Sequence, residues 1–572
     1  MPRRPLLWIP LVVACSKPAD EATPGGPLVA DTPDEVVDLD PDPSVLEVEI
    51  TARQANIAIG DEVARLLTYG ASVPGPQLRV MQGDRVRVHL HNDLPSDFPT
   101  TIHWHGIEGT NASDGTPTTQ EAIQPGETFT YDFRVPRPGL YWFHPHIRGS
   151  QATFSGLYGT LVVEDPDEQT LTDRGVLPET VHGMVLSDLG IYEQGPINVE
   201  VDDDFLLMNG TEGEHLLVNG QLLPTFDVPA GEGVRLQLWN TSIARYWVFS
   251  VPGHTVYRVG GEGGLLERVR VEGGSRQGVV VDEATGEQIG TETVDLGHPE
   301  GTILLGPAER ADVVVVPEGA PGDKIPIMWE DFARGRHGMW MEGDEMVMGD
   351  ALDDGTRASV EVATLSIVQG SGAFAIAEGD ALLEAVGRSI EPVDMSGDTV
   401  DFTGANGTAL EETMEMVFED NEWKHIAGFF IDGASWMPDT TGPSQALAPT
   451  AKHATIGDRV VWEVRNTTGM AHPFHLHGFS YQPIAYLIHE DGDEHGDQTG
   501  STDAATAAYT RLDFDHVEYE DTTHIPAHSS LLMHVELADP NGDGGAAGRW
   551  MKHCHIFQHG ESGMMSELVV AP

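Results

Sequence analysis

Residues 553–564 decide how the rest of the chain is interpreted, and they read His553-Cys554-His555-Ile556-Phe557-Gln558-His559-Gly560-Glu561-Ser562-Gly563-Met564. Apart from Cys15, Cys554 is the only cysteine in the chain. A lone thiol followed five residues later by His559 and ten residues later by Met564 has the spacing of metal ligands. Two histidines, one cysteine thiolate and a weak axial methionine form a blue-copper electron-transfer site. These residues are therefore candidates for three of its ligands.

Two histidines flank the thiol directly. On an extended strand successive side chains point to opposite faces, so His553 and His555 point away from the side of Cys554. They are candidates for a second metal centre on the other face, connected to the thiol through the backbone. The alternative is a buried structural cysteine beside unrelated histidines, and the further histidine clusters of the chain argue against it.

Length, charge and composition set the broad class. At 572 residues, three or four domains or two large ones are expected. The 65 glycines and 38 prolines favour a turn-rich all-β structure. A net charge of −60 argues against nucleic acid and anionic membrane surfaces as partners, since both require basic patches. The acidity is consistent with solubility in a saline habitat or with attraction of cations.

The first residues resemble an export signal. Arg3 and Arg4 precede an apolar run, residues 6–14, that is too short to span a bilayer. The run ends at Cys15 in a pattern similar to a bacterial lipobox, which predicts a lipoprotein-type signal peptide over residues 1–15. Residues 16–44 are rich in Asp, Glu and Pro and predict an acidic disordered tether. We expect export to the periplasm or cell surface, with a lipid anchor at the outer membrane.

Three other histidine clusters precede this stretch. They are His103-Trp104-His105, His144-Pro145-His146 and His472-Pro473-Phe474-His475-Leu476-His477. Histidines two apart on a strand share one face, so each such pair can reach a single metal cluster. His472 is offset from the pair that follows it, and it is the natural fourth ligand for the Cys554 metal.

Alternating short strands and turns divide the chain. Residues 45–166 predict a first β domain with two histidine clusters, and residues 170–370 a second domain with none. Residues 371–424 mix a helical patch at 376–386 with Gly- and Asp-rich sequence, and we interpret them as a connection. Residues 425–572 form the third predicted domain.

Taken in order, the four histidine clusters resemble the signature of multicopper oxidases, bacterial three-domain members such as laccases and cuprous oxidases in particular. The resemblance covers about residues 45–572. It implies an all-β fold of three cupredoxin-like β-sandwich domains of Greek-key topology. It also implies four copper ions, with a trinuclear cluster between the first and last domains.

The resemblance assigns each ligand position by its motif. The type 1 copper would be bound by His472, Cys554, His559 and Met564. The type 2 copper would be bound by His103 and His475. The two type 3 coppers would be bound by His105, His144, His146, His477, His553 and His555.

The function that the resemblance implies is oxidation of a reductant by single electrons, coupled to four-electron reduction of O2 to water. The reductant would be a phenol or aromatic amine, as in laccases, or Cu(I), as in a copper-tolerance enzyme; the laccase-like description is slightly favoured. We expect a monomer. Two other classes stay open: a copper-free structural or division protein, which the complete ligand set argues against, and a copper-storage protein.

Proton delivery in this family involves carboxylates. Asp114 matches the acidic residue of the loop after the first histidine pair, although it also fits a simple turn. A second acid often follows the last type 1 histidine directly. Here that position is Gly560, with Glu561 one residue later. Glu561 is therefore the candidate replacement.

A methionine-rich stretch at 337–348 bears on the substrate. Interpreted as a hairpin turning at 342–345, it brings four thioethers to one face, namely those of Met339, Met341, Met346 and Met348. Thioethers are soft ligands suited to Cu(I). Met470 occupies a position similar to a substrate-site methionine of cuprous oxidases, but Thr468 replaces the acidic partner. Ordinary packing of a core or apolar pocket is the alternative for all five.

Overall fold

The computed structural model describes residues 36–190, 204–335, 337–342, 345–351, 357–370, 372–396, 399–402, 412–418, 426–439, 442–489 and 508–572. The lipobox with Cys15 lies outside these residues. The end of the predicted tether does not, because Val36 packs against the first hydrophobic core and the Leu39 amide donates to the Glu47 carbonyl at 2.7 Å. Residues 36 and 39 of the predicted tether therefore contact the first region.

The first region consists of two four-stranded sheets around one apolar core. Its strands are β1 (Val45–Ile59), β2 (Glu62–Tyr69), β3 (Gln77–Met81), β4 (Arg85–Asp93), β5 (His103–His105), β6 (Thr128–Arg134), β7 (Gly139–His144) and β8 (Gly159–Glu164). The sheet orders are β2-β1-β4-β6 and β3-β8-β7-β5. Strands β5 and β7 pair so that His103 lies opposite His144.

The second region has its own core between a six-stranded and a five-stranded sheet. Its strands are β9 (Thr180–Leu189), β10 (His215–Val218), β11 (Thr225–Pro229), β12 (Val234–Asn240), β13 (Trp247–Ser250), β14 (Tyr257–Gly261), β15 (Gly264–Val271), β16 (Ser275–Asp282), β17 (Gln288–Asp295), β18 (Ile303–Leu305), β19 (Arg310–Val315), β20 (Lys324–Glu330), β21 (His337–Glu342), β22 (Glu345–Ala351) and β23 (Val360–Val368). The sheet orders are β10-β9-β12-β19-β14-β15 and β11-β23-β20-β13-β18. Within the described part of the chain, strands β21 and β22 pair with each other and with no other strand.

The third region carries the remaining histidine clusters. Its strands are β24 (Val400–Phe402), β25 (Glu412–Phe418), β26 (Ile426–Ile431), β27 (Lys452–Thr455), β28 (Arg459–Asn466), β29 (His472–Leu476), β30 (Tyr481–His489), β31 (Ala508–Asp513), β32 (Thr522–Ile525), β33 (Ser529–Glu536), β34 (Gly548–Cys554) and β35 (Met565–Ala571). One sheet has the order β27-β35-β34-β29-β32. In the other, β16 of the second region pairs with β31, so a single sheet runs across both regions.

The segment predicted to be a connection contributes to the third region. Strands β24 and β25 both pair in parallel with β28, and Met414 is buried in the third core. The predicted helical patch contains only a 3-10 turn at Leu383–Val386. Strand β24 pairs with a strand far along the chain and so leaves little local signal, whereas β25 also pairs with the adjacent β26.

Helices are few and short. They are α1 (Gly149–Phe154), α2 (Glu168–Asp173), α3 (Asp204–Asn209) and α4 (Phe557–Glu561). Strand accounts for 48% of the structure and helix for 6%, so the all-β prediction is confirmed. Among the described residues, no helix combines the length and the hydropathy needed to cross a lipid bilayer.

Candidate metal centres

Three side chains of the predicted type 1 site converge in the third core. The Sγ atom of Cys554 lies 3.4 Å from Nδ1 of His472 and 3.7 Å from Nδ1 of His559, and the two Nδ1 atoms are 3.2 Å apart. All three residues are fully buried. Strand pairing explains the convergence, since β29 and β34 are neighbours and α4 folds back beside them.

Hydrogen bonds at the far ring nitrogens orient both histidines. Nε2 of His472 lies 2.8 Å from Oγ1 of Thr468, and Nε2 of His559 lies 2.8 Å from the carbonyl oxygen of Met208 on α3. A carbonyl only accepts, so Nε2 of His559 is the protonated nitrogen and Nδ1 presents its lone pair to the thiol. Such outer partners are what fix the orientation of a metal-ligating histidine. Thr468, which stands where cuprous oxidases have an acidic residue, is the outer partner that orients His472.

Backbone hydrogen bonds hold Met564, the predicted fourth ligand, next to Cys554. The amide of Met564 donates to the His559 carbonyl at 2.9 Å, and the amide of Cys554 donates to the Met564 carbonyl at 3.1 Å. This turn after α4 brings Met564, which is fully buried, back beside the thiol. Burial raises the pKa of the Cys554 thiol. A thiolate here therefore depends on a bound cation for its stability.

Eight further histidines meet between the first and third regions. Two of the resulting groups have no residue in common, and we call them the two trios: His105 with His144 and His555, and His146 with His477 and His553. The third group brings His103 and His475 together beside His105. The candidate ligand atoms of each group lie within 4.8 Å of one another. The sequence predicted the set of six type 3 histidines, and the structure divides that set into the two trios.

The nitrogen atoms that face the centre of this cluster fit a metal. Among the described residues, several of these buried atoms have no hydrogen-bond partner: Nε2 of His103, His144 and His475, Nδ1 of His105, and both ring nitrogens of His555. Buried polar atoms without partners are costly, and coordination would satisfy them. An all-nitrogen set of this kind suits copper. The residues present therefore fit copper ions.

The electrostatics of the cluster keep its histidines neutral. Burial, reinforced by neighbouring imidazoles, lowers the pKa well below its usual value in His105, His144, His146, His477 and His555. The same causes lower the pKa of His553 to about 3. Neutral imidazole is the metal-binding form, so the cluster is in its binding state at neutral pH.

Asp114 contacts two histidines of the cluster. Nδ1 of His103 donates to the Asp114 backbone carbonyl at 2.8 Å, and Nδ1 of His477 lies 3.2 Å from both carboxylate oxygens. The carboxylate also accepts from the Thr116 hydroxyl at 2.9 Å. Asp114 does cap a short turn, Asn111–Ser113, but its buried carboxylate also orients ligands.

Glu561 reaches the cluster through a cavity. A space of about 410 Å³ is lined by Glu561 and by four cluster histidines, His144, His146, His553 and His555. The Glu561 carboxylate accepts hydrogen bonds from the hydroxyl and the amide of Ser150 on α1. Burial raises the pKa of this carboxyl group. The position is suited to holding a proton beside the cluster.

The sequence prediction missed a second acid at the cluster. Oδ1 of Asp521 lies 2.9 Å from Nε2 of His105, and its backbone carbonyl accepts from Nδ1 of His475 at 2.9 Å. Arg310 pairs with the same carboxylate, and Glu262 accepts from the Asp521 amide at 2.8 Å. No local pattern around residue 521 marks it, because its partners are far away in the chain and come from all three regions.

The methionine positions divide into two cases. The predicted hairpin register is confirmed for the backbone, with Met339 opposite Met348 and Met341 opposite Met346, whereas these side chains lie outside the described part of the structure. Met470 is fully buried, and its sulfur lies 3.3 Å from Nη1 of Arg334. A guanidinium on the sulfur argues against Met470 as a ligand of substrate Cu(I).

Family models agree with this geometry. Three models described as multicopper oxidase match residues 51–168, 190–275 and 407–572, which together are more than half of the chain. The chain belongs to the multicopper oxidase family. It is therefore a copper-dependent oxidoreductase, with histidine clusters able to hold its copper.

The chain is similar to bacterial and fungal proteins. Multicopper oxidase MmcO of Mycobacterium tuberculosis is 27% identical over 91% of this chain and 86% of its own length. Laccase-2 of Cryptococcus neoformans is 25% identical over 87% and 80%. Among solved structures, a multicopper oxidase from Campylobacter jejuni described as a metallo-oxidase has a TM-score of 0.68 at 20% identity, covering 96% of both chains. These likenesses confirm the cupredoxin-like fold.

Proposed function

We propose that this multicopper oxidase takes its electrons from Cu(I). Four Cu(I) ions would be oxidised to Cu(II) while one O2 and four protons form two waters. Copper bound at the two centres would supply the one-electron oxidation and the four-electron reduction. The chain belongs to a family whose similar members include both laccases and a metallo-oxidase, so the choice of reductant depends on features of this chain.

The location of the methionine hairpin carries the proposal. Cα atoms of β21 approach those of α3 within 8 Å. Helix α3 in turn covers His559, whose Nε2 donates to the Met208 carbonyl at 2.8 Å. Strand β21, which carries Met339 and Met341, therefore lies beside the helix that shields the thiol site. Soft thioethers there would collect Cu(I) next to the electron acceptor.

Burial of the type 1 histidines supports the same view. His472 and His559 are fully buried, and the far nitrogen of each ring is already hydrogen-bonded. A bulky organic reductant has no exposed ligand edge to contact among the described residues. A copper ion bound by the hairpin does not need an exposed edge of a histidine ligand.

The polypeptide itself connects the two centres. Cys554 contributes to the first, and the residues on either side of it, His553 and His555, contribute to the second. Electrons would travel a few covalent bonds along one strand end. Glu561 would hold a proton in the cavity that both trios line, and Asp114 would hold two histidines of the cluster in orientation.

Laccase-like oxidation of phenols or aromatic amines is the second candidate. A cavity of about 440 Å³ between the second and third regions is lined by Phe332, Tyr486, Phe514 and His524. Phe332 stacks on Tyr246 at 5.5 Å between ring centroids. A cavity of this size and lining suits a small aromatic molecule.

Oxygen uptake by the copper-loaded protein distinguishes the candidates. The test compares Cu(I) with a methoxyphenol in the wild type and in a variant with Ser at Met339, Met341, Met346 and Met348. We expect kcat/KM for Cu(I) to fall at least tenfold while the methoxyphenol value does not fall. Met437→Ser is the matched control, because Met437 is an exposed methionine that lines the cavity beside Glu561. Equal Cu(I) activity in the quadruple variant rejects the metal substrate, and no O2 uptake with either donor favours copper storage.

We also propose that the protein is exported and lipid-anchored through Cys15. The support is the lipobox-like sequence that ends at this residue. Expression in a bacterial host with a radiolabelled fatty acid tests it. The wild type should be labelled and sediment with membranes, whereas Cys15→Ser should be unlabelled. An unlabelled wild type contradicts the proposal.

A further inference from the structure

A buried guanidinium lies beside the candidate type 1 site. Arg334 is 2% exposed and precedes the methionine hairpin by three residues. Its Nη1 contacts the sulfur of Met470 at 3.3 Å, and its Nη2 donates to the Asn209 carbonyl at 2.5 Å. Arginine stays protonated in proteins, so a full positive charge is buried here.

The two contacts of Arg334 are with segments that hold two different copper-site histidines. Met470 is two residues before His472, and the amide of Ala471 donates to the Arg334 carbonyl at 2.7 Å. Asn209 directly follows Met208, whose carbonyl accepts from His559. The side chain and backbone of one arginine thus bridge the two segments that orient the histidines.

The charge of Arg334 is incompletely balanced. Its carboxylate partner is Glu212, at 3.1 Å, and Glu212 also pairs with Arg245 and Arg357. Among the described residues, Nε of Arg334 has no hydrogen-bond partner. A buried charge acts strongly, because little water screens it.

We infer that Arg334 is a positioning residue that raises the reduction potential of copper held by His472, Cys554 and His559. Reduction of Cu(II) to Cu(I) removes one positive charge from the site. A fixed cation nearby therefore favours the reduced state. This inference rests on the proposed copper site but not on which reductant is used.

Redox titration of the blue absorption band tests the inference. We expect Arg334→Gln to shift the one-electron equilibrium about tenfold toward Cu(II), which is about 59 mV. Arg334→Lys keeps the charge and should stay within about twofold of the wild type. Arg357→Gln is the matched control, because Arg357 shares Glu212 without contacting Met470 or Asn209.

Loss of folding in Arg334→Gln would not end the test. Glu212→Gln removes the shared counter-charge and should move the equilibrium in the opposite direction, toward Cu(I). An unchanged potential in both Gln variants, or an equal fall in Arg334→Lys and Arg334→Gln, overturns the inference. A copper-loaded wild type without a blue band would instead reject the copper site itself, so the two failures are distinguishable.

Discussion

Cys554 is a ligand candidate for one centre, and the two residues beside it are candidates for the other. Phe474 and His475 on β29 lie opposite Cys554 and His553 on β34, so pairing of the two strands aligns both centres. Burial raises the pKa of the thiol, which makes the thiolate form dependent on a metal. A change at this one atom should therefore affect one centre without dismantling the other.

Cys554→Ser should abolish the blue colour and turnover while the histidine cluster keeps its copper. A serine hydroxyl replaces the soft thiolate with a poor copper ligand. Visible spectroscopy and copper analysis should show loss of the blue band and of about one copper ion per chain. Wild-type turnover in this variant would contradict the assignment of Cys554.

Glu561→Gln should slow O2 reduction by about a hundredfold, the usual scale for loss of an acid–base group. Glutamine keeps the size of the side chain and can still accept from Ser150, but it cannot release a proton. Steady-state kinetics should show a lower kcat, and KM for the reductant should not rise. Ser150→Ala is the matched control, since it removes the hydroxyl partner and leaves the carboxylate in the cavity. An unchanged kcat in Glu561→Gln rejects the proton role.

At the scale of elements, the methionine hairpin is separable from the rest of the fold. Among the described residues, strands β21 and β22 pair with each other and with no other strand. Their base is held at Arg334 and Arg357, which share Glu212. The hairpin can therefore vary without loss of the core.

Replacing residues 337–351 by a short Gly-Ser linker should alter substrate preference and leave stability nearly unchanged. We expect kcat/KM to fall at least tenfold for Cu(I) and to rise for a methoxyphenol, because α3 becomes accessible. Oxygen uptake measures both values, and thermal unfolding checks that the melting temperature changes by only a few degrees. Unchanged Cu(I) kinetics would show that the hairpin has no part in substrate use.

At the scale of the whole molecule, ion pairs join the second and third regions. His516 pairs with Asp515 and Glu518. Asp515 also pairs with Arg270 of the second region, and Glu518 with Arg258. Burial lowers the pKa of His516, but the two carboxylates outweigh burial and raise the pKa to about 9. The protonated ring stabilises this interface.

His516→Gln should reduce stability near neutral pH but not at high pH. A folded pKa raised from 6.5 to about 9 gives stability that is full below pH 6.5 and lost as pH rises through about 9. The protonated ring can add at most about 3 kcal/mol to the free energy of unfolding, since one pKa unit corresponds to about 1.36 kcal/mol. Urea unfolding at pH 6 and pH 10 measures the difference between variant and wild type. His453→Gln, at an exposed site, is the control; an equal loss at both pH values would contradict the prediction.

Local patterns carried much of the candidate site. Alternation along a strand brings His103 and His105, or His475 and His477, to one face, and that depends only on neighbouring residues. The facing methionines of the hairpin also follow from local register. Strand β24 was missed because its partner, β28, lies far along the chain.

The sequence by itself determined the all-β class, the ligand types and their spacing, because these are properties of short stretches. The tertiary structure decided which histidines form each trio. It also brought Thr468, Asp521 and Arg334 to the metal centres. Those contacts depend on pairing between segments that are far apart in the chain, such as β29 with β34 and β5 with β7. Hydrophobic burial and backbone hydrogen bonding choose such partners only when the whole chain folds.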